Sequence, residues 1–574
     1  MEGILGFVQA LPIDFANVYI FLLRLIAPAL MGLILWRAGK PLLSFRKEPE
    51  IWAILRLEDG TGLPVTHWEN IIGRHPRSDL VIDLPTISKN HAVLTRYDDG
   101  SWTITDTESA SGVRINGEQM DICALEPDDE IELGGLKMYL EPITRQQEER
   151  LAQLRTRASS GLSSVVNVLL LSLFQALCCL AYLLGGDPAH GENVLLGFGG
   201  IFVAQWLVLA FYACIRRSGF EIETIAFLLC TMGMNIIAAT VPGETLKQLI
   251  AMGLGLATFF FVGWCLRDLE RAKQIRYYAT IAGIGFLVIT LLFGREIYGA
   301  KNWLVIGGFS IQPSELSKLC FVFVGASTMD RILRKRNLFG FIAYSVVLCG
   351  LLALMNDFGT ALIFFVAFLS IAYMRSGSIG TVGLAVTSLG FAGVIALKIA
   401  PHALRRFTIW RHVWEDALDR GYQQTRSLMC MASGGLLGLG AGNGWMKNLF
   451  ACDTDVVFAT VGEEWGLICA MLMVVAVSVL ALFCLRSASL GRSSFYTIGA
   501  CTAASILLAQ TILNVMGTID LLPFTGVTFP FVSNGGSSMI STWGMLAFVK
   551  AADIRQDASF AIRINRNRSR EVEE

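Results

Sequence analysis

The sequence predicts a polytopic α-helical membrane protein with an all-β sandwich domain inserted near its N-terminus. Hydrophobic residues make up 54% of the 574 and charged residues only 16%, against roughly 25% charged in soluble domains. Mean hydropathy is +0.56. Most apolar residues gather into long runs, many near the roughly 20 residues that cross a bilayer. One stretch, about 51–143, breaks this pattern with short alternating segments between DG, TG and NG turns, which read as strands. A disordered tail protein, a fibrous repeat and a conventional soluble enzyme are excluded. The net charge of -1 gives nucleic-acid binding no support. Cys178, Cys179, Cys230, Cys265 and Cys320 lie inside apolar runs, and no CxxC pair exists among the 13 cysteines. They read as small hydrophobes. The six histidines are scattered, so no zinc or haem site can be drawn.

The first apolar run, Asn17–Trp36, is long enough to span. It is not a cleavable signal, because Glu2 and Asp14 stand where a basic region belongs and no small-residue cleavage site follows. Arg37, Lys40, Arg46 and Lys47 place its end in the cytoplasm and the N-terminus outside. Arg24, mid-run, either faces a bundle interior or weakens the span. Residues 1–50 are thus an anchor and basic linker, 51–143 the β domain, and 144–162 a charged linker. Twelve further spans are expected. They lie near Ser163–Gly185, Leu195–Cys214, Ile225–Thr240, Leu249–Cys265, Tyr278–Phe293, Leu316–Met329, Phe339–Met355, Ala361–Met374, Val382–Ile399, Val456–Leu485, Tyr496–Met516 and Ser537–Val549. Basic clusters fall in every second loop: Arg216-Arg217, RDLERAKQIR, RILRKRN, Arg375, Arg486 to Arg492 and the C-terminus. This alternation puts the β domain and the tail after 554 inside, and the 400–454 segment outside.

Within the β domain, GRHPRSD, ISKNH and SASGVRING occur in order. Together they resemble the forkhead-associated (FHA) domain over about 90 residues. The resemblance implies phosphothreonine binding, with Arg74 as the phosphate-facing cation and Ser88 as a hydroxyl donor. Lys89 and Ser111 flank that site, and Ser111 stands where the family usually has asparagine. An arginine suits phosphate because its planar fork bonds two oxygens at once. His91 reads as a structural histidine. The open alternative is an FHA fold that has lost its ligand.

The membrane part carries GAKNWLVIGGFSIQPSELSKL, NDFGTAL, LRRF, GYQQTRSLMCMASGGLLGLGAGNG, DTDVVFATVGEEWGL and LLPFTGVTFPFVSNGGSS. In that order, over about 221–554, they resemble the FtsW/RodA/SpoVE (SEDS) family of polytopic peptidoglycan glycosyltransferases, which polymerise lipid II. Asn356 replaces the family's usual proline and Asn534 its usual tyrosine. The resemblance implies a core of about ten helices, with 163–215 supplying two additional ones of no evident role. Elongating a glycan on a polyprenyl diphosphate needs a base for the acceptor hydroxyl and cations near the leaving diphosphate.

Asp455 matches the family's essential aspartate and is read as that base; the alternative is helix capping. Asp453 is a neighbour two residues out of register. Lys318 and Glu315 share a helix face at a spacing of three, and the resemblance puts the lysine near the aspartate. Gln312 and Pro313 read as the start of that helix. Asp357 is read as substrate-binding or structural. Arg405 and Arg406 suit diphosphate contact, or form a solvated basic pair. On a continuous helix Glu463 lies about 80° from the direction of Asp455 and could approach it, whereas Glu464 meets another helix; the open alternative is that both are buried structural partners. The glycine-rich stretches lack the context of nucleotide loops and read as close-packing devices.

The resulting expectation is a membrane glycosyltransferase acting in division, elongation or sporulation. Its substrate is lipid II, its partner a class B penicillin-binding protein, and its control a protein phosphorylated on threonine by a Ser/Thr kinase. No cofactor is assigned, and a divalent cation (Mg or Mn) at the diphosphate is left open. Competing readings are a lipid II transporter and an inactive scaffold.

Overall fold

The structure is a computed structural model. It describes residues 12–44, 50–76, 78–97, 100–144, 146–147, 150, 156–267, 269–297, 300–306, 309–327, 335–376, 379–399, 401–488 and 493–559. Much of the charged linker, the RILRKRN cluster through Arg334, the end of the Arg486 to Arg492 cluster and the tail beyond 559 lie outside the described residues.

Helix α1 (Ile13–Leu42) leads into eleven strands. These are β1 (Ala53–Leu57), β2 (Gly62–Val65), β3 (Glu69–Gly73), β4 (Leu80–Val81), β5 (Ala92–Arg96), β6 (Trp102–Asp106), β7 (Val113–Ile115), β8 (Glu118–Gln119), β9 (Ile122–Leu125), β10 (Glu130–Leu133) and β11 (Leu136–Pro142). They form two sheets, β2-β1-β11-β10-β7-β8 and β4-β3-β5-β6-β9. The alternation read in the sequence buries Leu55, Ile72, Leu94, Ile104, Ile131 and Met138 between them. The β7–β8 turn is an Asn-Gly pair, with φ of 53° at Asn116 and 87° at Gly117, as such a tight turn requires.

The remaining helices are α2 (Gly161–Gly185), α3 (Gly191–Cys214), α4 (Glu221–Thr240), α5 (Thr245–Leu266) and α6 (Leu269–Phe293). A small antiparallel meander follows, β12 (Arg295–Ile297), β13 (Ala300–Ile306) and β14 (Phe309–Ile311), which no pattern in the sequence had suggested. Then come α7 (Pro313–Ser327), α8 (Lys335–Leu354), α9 (Phe358–Ser376), α10 (Ile379–Ile399), α11 (Pro401–Ile409), α12 (Tyr422–Gly434), α13 (Val457–Glu464), α14 (Gly466–Ala488), α15 (Ser494–Thr518) and α16 (Gly536–Ala551). Among the described residues nine helices are long and apolar enough to cross a membrane. Each of the thirteen expected spans falls on a helical segment.

One expected span is not continuous. The run Val456–Leu485 is broken at Trp465–Gly466, where Gly466 has φ of 86°. The glycine-rich stretch before it packs backbone to backbone into this break. Leu439 N donates to Glu463 O (2.8 Å), Gly440 N to Glu464 O (2.9 Å) and Leu467 N to Gly435 O (3.0 Å). A Cβ on Gly438 would stand 2.2 Å from Glu464 O, so only glycine allows this approach.

The helices added before the core are tied in by polar side chains. Gln175 of α2 donates to Gln205 of α3 (3.0 Å) and to Thr231 of α4 (3.1 Å). Arg37 of α1 donates to Asn167 of α2 (2.9 Å). Tyr182 of α2 donates to Glu464 (2.8 Å) and accepts from Trp465 Nε1 (3.1 Å), which braces the helix break. Glu464 thus meets another helix, as its position suggested.

At the opposite end of α4 lies a buried ionic cluster. Arg555 bridges Asp553 (2.7 Å) and Glu221 (3.1 Å), and Lys550 pairs with Glu223 (3.2 Å). Tyr212 donates to Glu223 (2.7 Å). The segment after α16 then bridges the linker: Gln556 N donates to Thr156 O (3.0 Å) and Ala158 N to Gln556 O (3.3 Å). The β domain touches the helices too, because Glu69 Oε2 accepts from Ser494 N at the start of α15 (3.0 Å). The hydroxyl of Ser493, the N-cap residue of that helix, makes no such bond. The carboxylate therefore serves one of the free N–H groups of the helix end.

Removing one charge from a buried, hydrogen-bonded cluster leaves its partners unpaired in low dielectric. Arg555→Ala is expected to cost about 3–5 kcal/mol, read as a lowered unfolding midpoint of the detergent-solubilised protein.

Candidate functional site

Asp455 lies in the turn preceding α13. Four consecutive carbonyls of this turn each receive a separate donor. Thr460 Oγ1 binds Cys452 O (2.8 Å), Asn534 N binds Asp453 O (2.8 Å), Ser533 Oγ binds Thr454 O (2.6 Å) and Asn514 Nδ2 binds Asp455 O (2.8 Å). The donors come from α13, from the loop before α16 and from α15. The carboxyl of Asp455 does not cap α13, because Val456 occupies the cap position and makes no side-chain cap bond. Asp453 is engaged differently, since its Oδ2 accepts from Asn534 Nδ2 (2.8 Å). Asn534, the departure from the family pattern, is therefore the residue that ties Asp453 down.

The wall opposite Asp455 is Gly526, with φ of 67°. A Cβ built there would stand 3.2 Å from Asp455 Oδ2. Arg406 Nη1 donates to the adjacent Thr525 O (3.0 Å). Asp455 is half-buried as a residue, but protein crowds its carboxyl. Desolvation raises its pKa to about 6, while bonding from Thr454 and the nearby Arg406 charge pull the other way. The Arg405 side chain lies outside the described residues.

The 525–527 loop continues to a second group of residues. Gly359, at the start of α9, packs against Thr525, where an added Cβ would meet its carbonyl oxygen at 3.2 Å. Asp357 caps that helix, accepting from Thr360 N (3.2 Å), and its other oxygen accepts from Asn302 and Gln312 (3.3 Å each). Asp357 is therefore a structural cap that also faces the polar side chains of β13 and of the turn before α7. Gln312 N donates to Ser537 Oγ (3.1 Å). The N-termini of α7, α9 and α16 thus converge on Gln312, and each end carries free N–H groups and positive dipole character.

Lys318 sits on α7, buried, with its ammonium 2.7 Å from Glu315 Oε2. The helix spacing read in the sequence brings these two together. Among the described residues no hydrogen bond or ion pair joins Lys318 to Asp455. Glu315 is also anchored through its backbone, which accepts from Ser541 of α16 (2.7 Å).

Glu463 does not face Asp455. It is a buried structural partner, the alternative that the sequence left open. Both carboxylate oxygens of Glu463 accept from backbone amides of the preceding loop, Trp445 N (2.9 Å) and Met446 N (2.8 Å). Its role is to hold the loop that packs into the helix break. Asn514, Ser533, Asn302 and Gly526 were not singled out from sequence. The signal available for Asn514 was an amide, one of two with Gln510, within a long and largely apolar run.

In the β domain, Arg74 N donates to Ser88 O (3.0 Å) at one end of β3. Among the described residues the Arg74 guanidinium has no carboxylate partner. Ser88 Oγ accepts from Ala110 N (3.0 Å). His91 is fully buried and accepts from Ser88 N at Nδ1 (3.2 Å), which leaves Nε2 to donate to Gly112 O (3.0 Å). It is a brace between the two loops, as expected. Lys89 is exposed, and its carbonyl accepts from His75 N (3.2 Å). Ser111, also exposed, donates to Thr86 O (3.3 Å). Arg74, Ser88, Lys89 and Ser111 therefore border one edge of the sandwich.

Comparison with known proteins places two families on the chain. The FtsW/RodA/SpoVE family, described as cell cycle proteins, matches residues 202–557, and the FHA domain matches residues 70–134. The first match begins inside α3. The chain is 30% identical over 322 residues to a peptidoglycan glycosyltransferase RodA of Mycobacterium tuberculosis, covering 53% of this chain and 69% of that one. It is 32% identical over 315 residues to a probable peptidoglycan glycosyltransferase FtsW of Wigglesworthia glossinidia brevipalpis, covering 52% and 79%. A solved rod shape determining protein RodA of Thermus thermophilus aligns with 23% identity and a TM-score of 0.44, over 57% of this chain and 94% of that one.

The Asp455 carboxyl is expected to titrate near pH 6 in difference infrared spectra. Arg406→Ala removes a nearby cation and is expected to move that midpoint upward. An unchanged midpoint would separate Arg406 from Asp455.

Proposed function

The chain belongs to the FtsW/RodA/SpoVE family and carries an FHA domain, and from that premise we propose that it polymerises lipid II into glycan strands under phosphothreonine control. It is an integral membrane protein. The alternation of basic loops supports a topology with the FHA domain and the tail in the cytoplasm and the 400–454 segment outside. The Asp455 turn then opens on the outer face, where a lipid-linked sugar is presented.

The reaction joins a lipid-linked strand to the 4-hydroxyl of lipid II. The acceptor oxygen attacks the anomeric carbon of the donor from the side opposite its diphosphate. The bond from sugar carbon to diphosphate oxygen breaks as the new glycosidic bond forms, with inversion. The hydroxyl proton goes to the Asp455 carboxylate, and polyprenyl diphosphate leaves. The observation that carries this reading is the Asp455 carboxyl itself. Among the described residues it neither caps a helix nor forms an ion pair, and its pKa is raised to about 6. Such a carboxylate is a stronger base than an ordinary aspartate, and roughly nine-tenths of it is ionised at pH 7.

The leaving diphosphate needs positive potential. Arg406 and the converging N-termini of α7, α9 and α16 supply it, with Asp357 and Gln312 orienting the polar floor. Lys318, balanced by Glu315, adds a buried donor whose charge is already paired. Arg405 shares the basic segment with Arg406. The partner role of a class B penicillin-binding protein belongs to the same reading. On the other face, Arg74 and Ser88 receive the phosphate of a phosphothreonine, with Lys89 and Ser111 at the rim, so a Ser/Thr kinase sets recruitment.

Purified protein with its class B partner is expected to make glycan strands from lipid II, and Asp455→Ala is expected to make none. Equal yields would discard Asp455 as the base, and no strands from either would favour transport of lipid II or scaffolding. Because the base must be ionised, kcat/KM should rise with pH and level off above an apparent pKa of about 6. Arg74→Ala should weaken binding of a phosphothreonine peptide by about tenfold or more in calorimetry, with strand synthesis in the absence of peptide unchanged.

A further inference from the structure

Asn514 lies on α15, a largely apolar helix, and is 2% exposed. A buried amide in such a helix is costly unless its hydrogen bonds are made. Its Nδ2 donates to two carbonyls on two different segments, Asp455 O and Val527 O, both at 2.8 Å. Two acceptors on one side fix the orientation of the amide. The two segments are the ones that face each other across the site: one bears the Asp455 carboxyl, the other the Gly526 wall. Ser533 and Asn534 hold the preceding carbonyls, but Asn514 holds the carbonyl of Asp455 itself.

We propose that Asn514 is the positioning residue that sets the Asp455 carboxylate relative to the acceptor hydroxyl, by fixing the separation of the Asp455 turn and the 525–527 loop. The proposal rests on the reading of Asp455 as the base. A single amide has two N–H groups at a fixed angle, so it measures the gap between the segments. Loss of either bond lets the turn drift, and sub-ångström drift of a base is enough to cost rate. Gln510, one turn earlier on α15, supplies a matched control. It is fully buried and polar, and neither end of its amide has a partner among the described residues.

The test compares wild type, Asp455→Ala, Asn514→Ala, Asn514→Asp and Gln510→Ala in the full chain with its class B partner. The aspartate variant keeps shape and removes both N–H donors. Both Asn514 variants are expected to lower kcat about 100-fold while KM for lipid II stays within about twofold. Backbone hydrogen exchange across the 451–456 turn should rise in both. Gln510→Ala should leave kcat within about threefold of wild type. Wild-type kcat in Asn514→Asp, or losses in Asn514→Ala matched by Gln510→Ala, would overturn the proposal. If wild type makes no strands, the glycosyltransferase reading fails first. Exchange still decides the placement of Asn514, because an unaltered turn in Asn514→Ala overturns it without any turnover.

Discussion

Four hydrogen bonds to four successive carbonyls, from Cys452 to Asp455, hold the turn around which the site is built. An isolated turn before a short helix loses little by fraying. This one is stitched to α13, α15 and the loop before α16, so it moves only if three elements move. That stitching fixes a partly desolvated carboxyl opposite Gly526 without using the carboxyl to hold the fold. The backbone carries the structural load, while among the described residues the side chain neither caps a helix nor forms an ion pair.

The same division explains the residues around it. Acidic groups that the fold uses are fully engaged: Asp453 by Asn534, Glu463 by two loop amides, Glu464 by Tyr182 and a loop N–H, and Asp357 by the start of α9. Burying those carboxylates unpartnered would cost several kcal/mol each. The helices that precede the core acquire a purpose from this. Tyr182 reaches from α2 to Glu464 at the helix break, and the Gln175–Gln205 pair locks α2 to α3. The added helices therefore brace the segment that bears the site.

Much of this was legible in the residues. Long apolar runs located every helix that crosses the bundle, because hydrophobic length is a direct physical requirement of a bilayer. The alternating strands and the Asn-Gly turn of the β domain were likewise local. Motifs singled out Asp455, Arg74 with Ser88, and Lys318 with Glu315, and the last two are in contact in the fold. What escaped was set by tertiary contact. The run from Val456 to Leu485 carries no charge beyond Glu463 and Glu464, and its break at Gly466 depends on a glycine loop some 30 residues earlier in the chain docking into it. Glu463, on the near side of that break, gives its carboxylate to two loop amides and so takes the structural role that the sequence had left open. Asn514 stood in the sequence only as an amide in a largely apolar run, because its two carbonyl partners are brought to it by the folded chain alone.

The contact between Glu69 and Ser494 gives the FHA domain a standing that its sequence does not suggest. A domain of this kind is usually regarded as a cassette, attached to a catalytic body by a tether and exchangeable for another. Here a carboxylate from its third strand completes the first turn of a membrane helix whose own cap serine does not do so. The far end of that helix bears the amide that grips the Asp455 turn. Excision of the domain would thus leave a frayed helix and not a clean truncation, and a transplanted domain would serve only if it brought an acidic residue to the same spot.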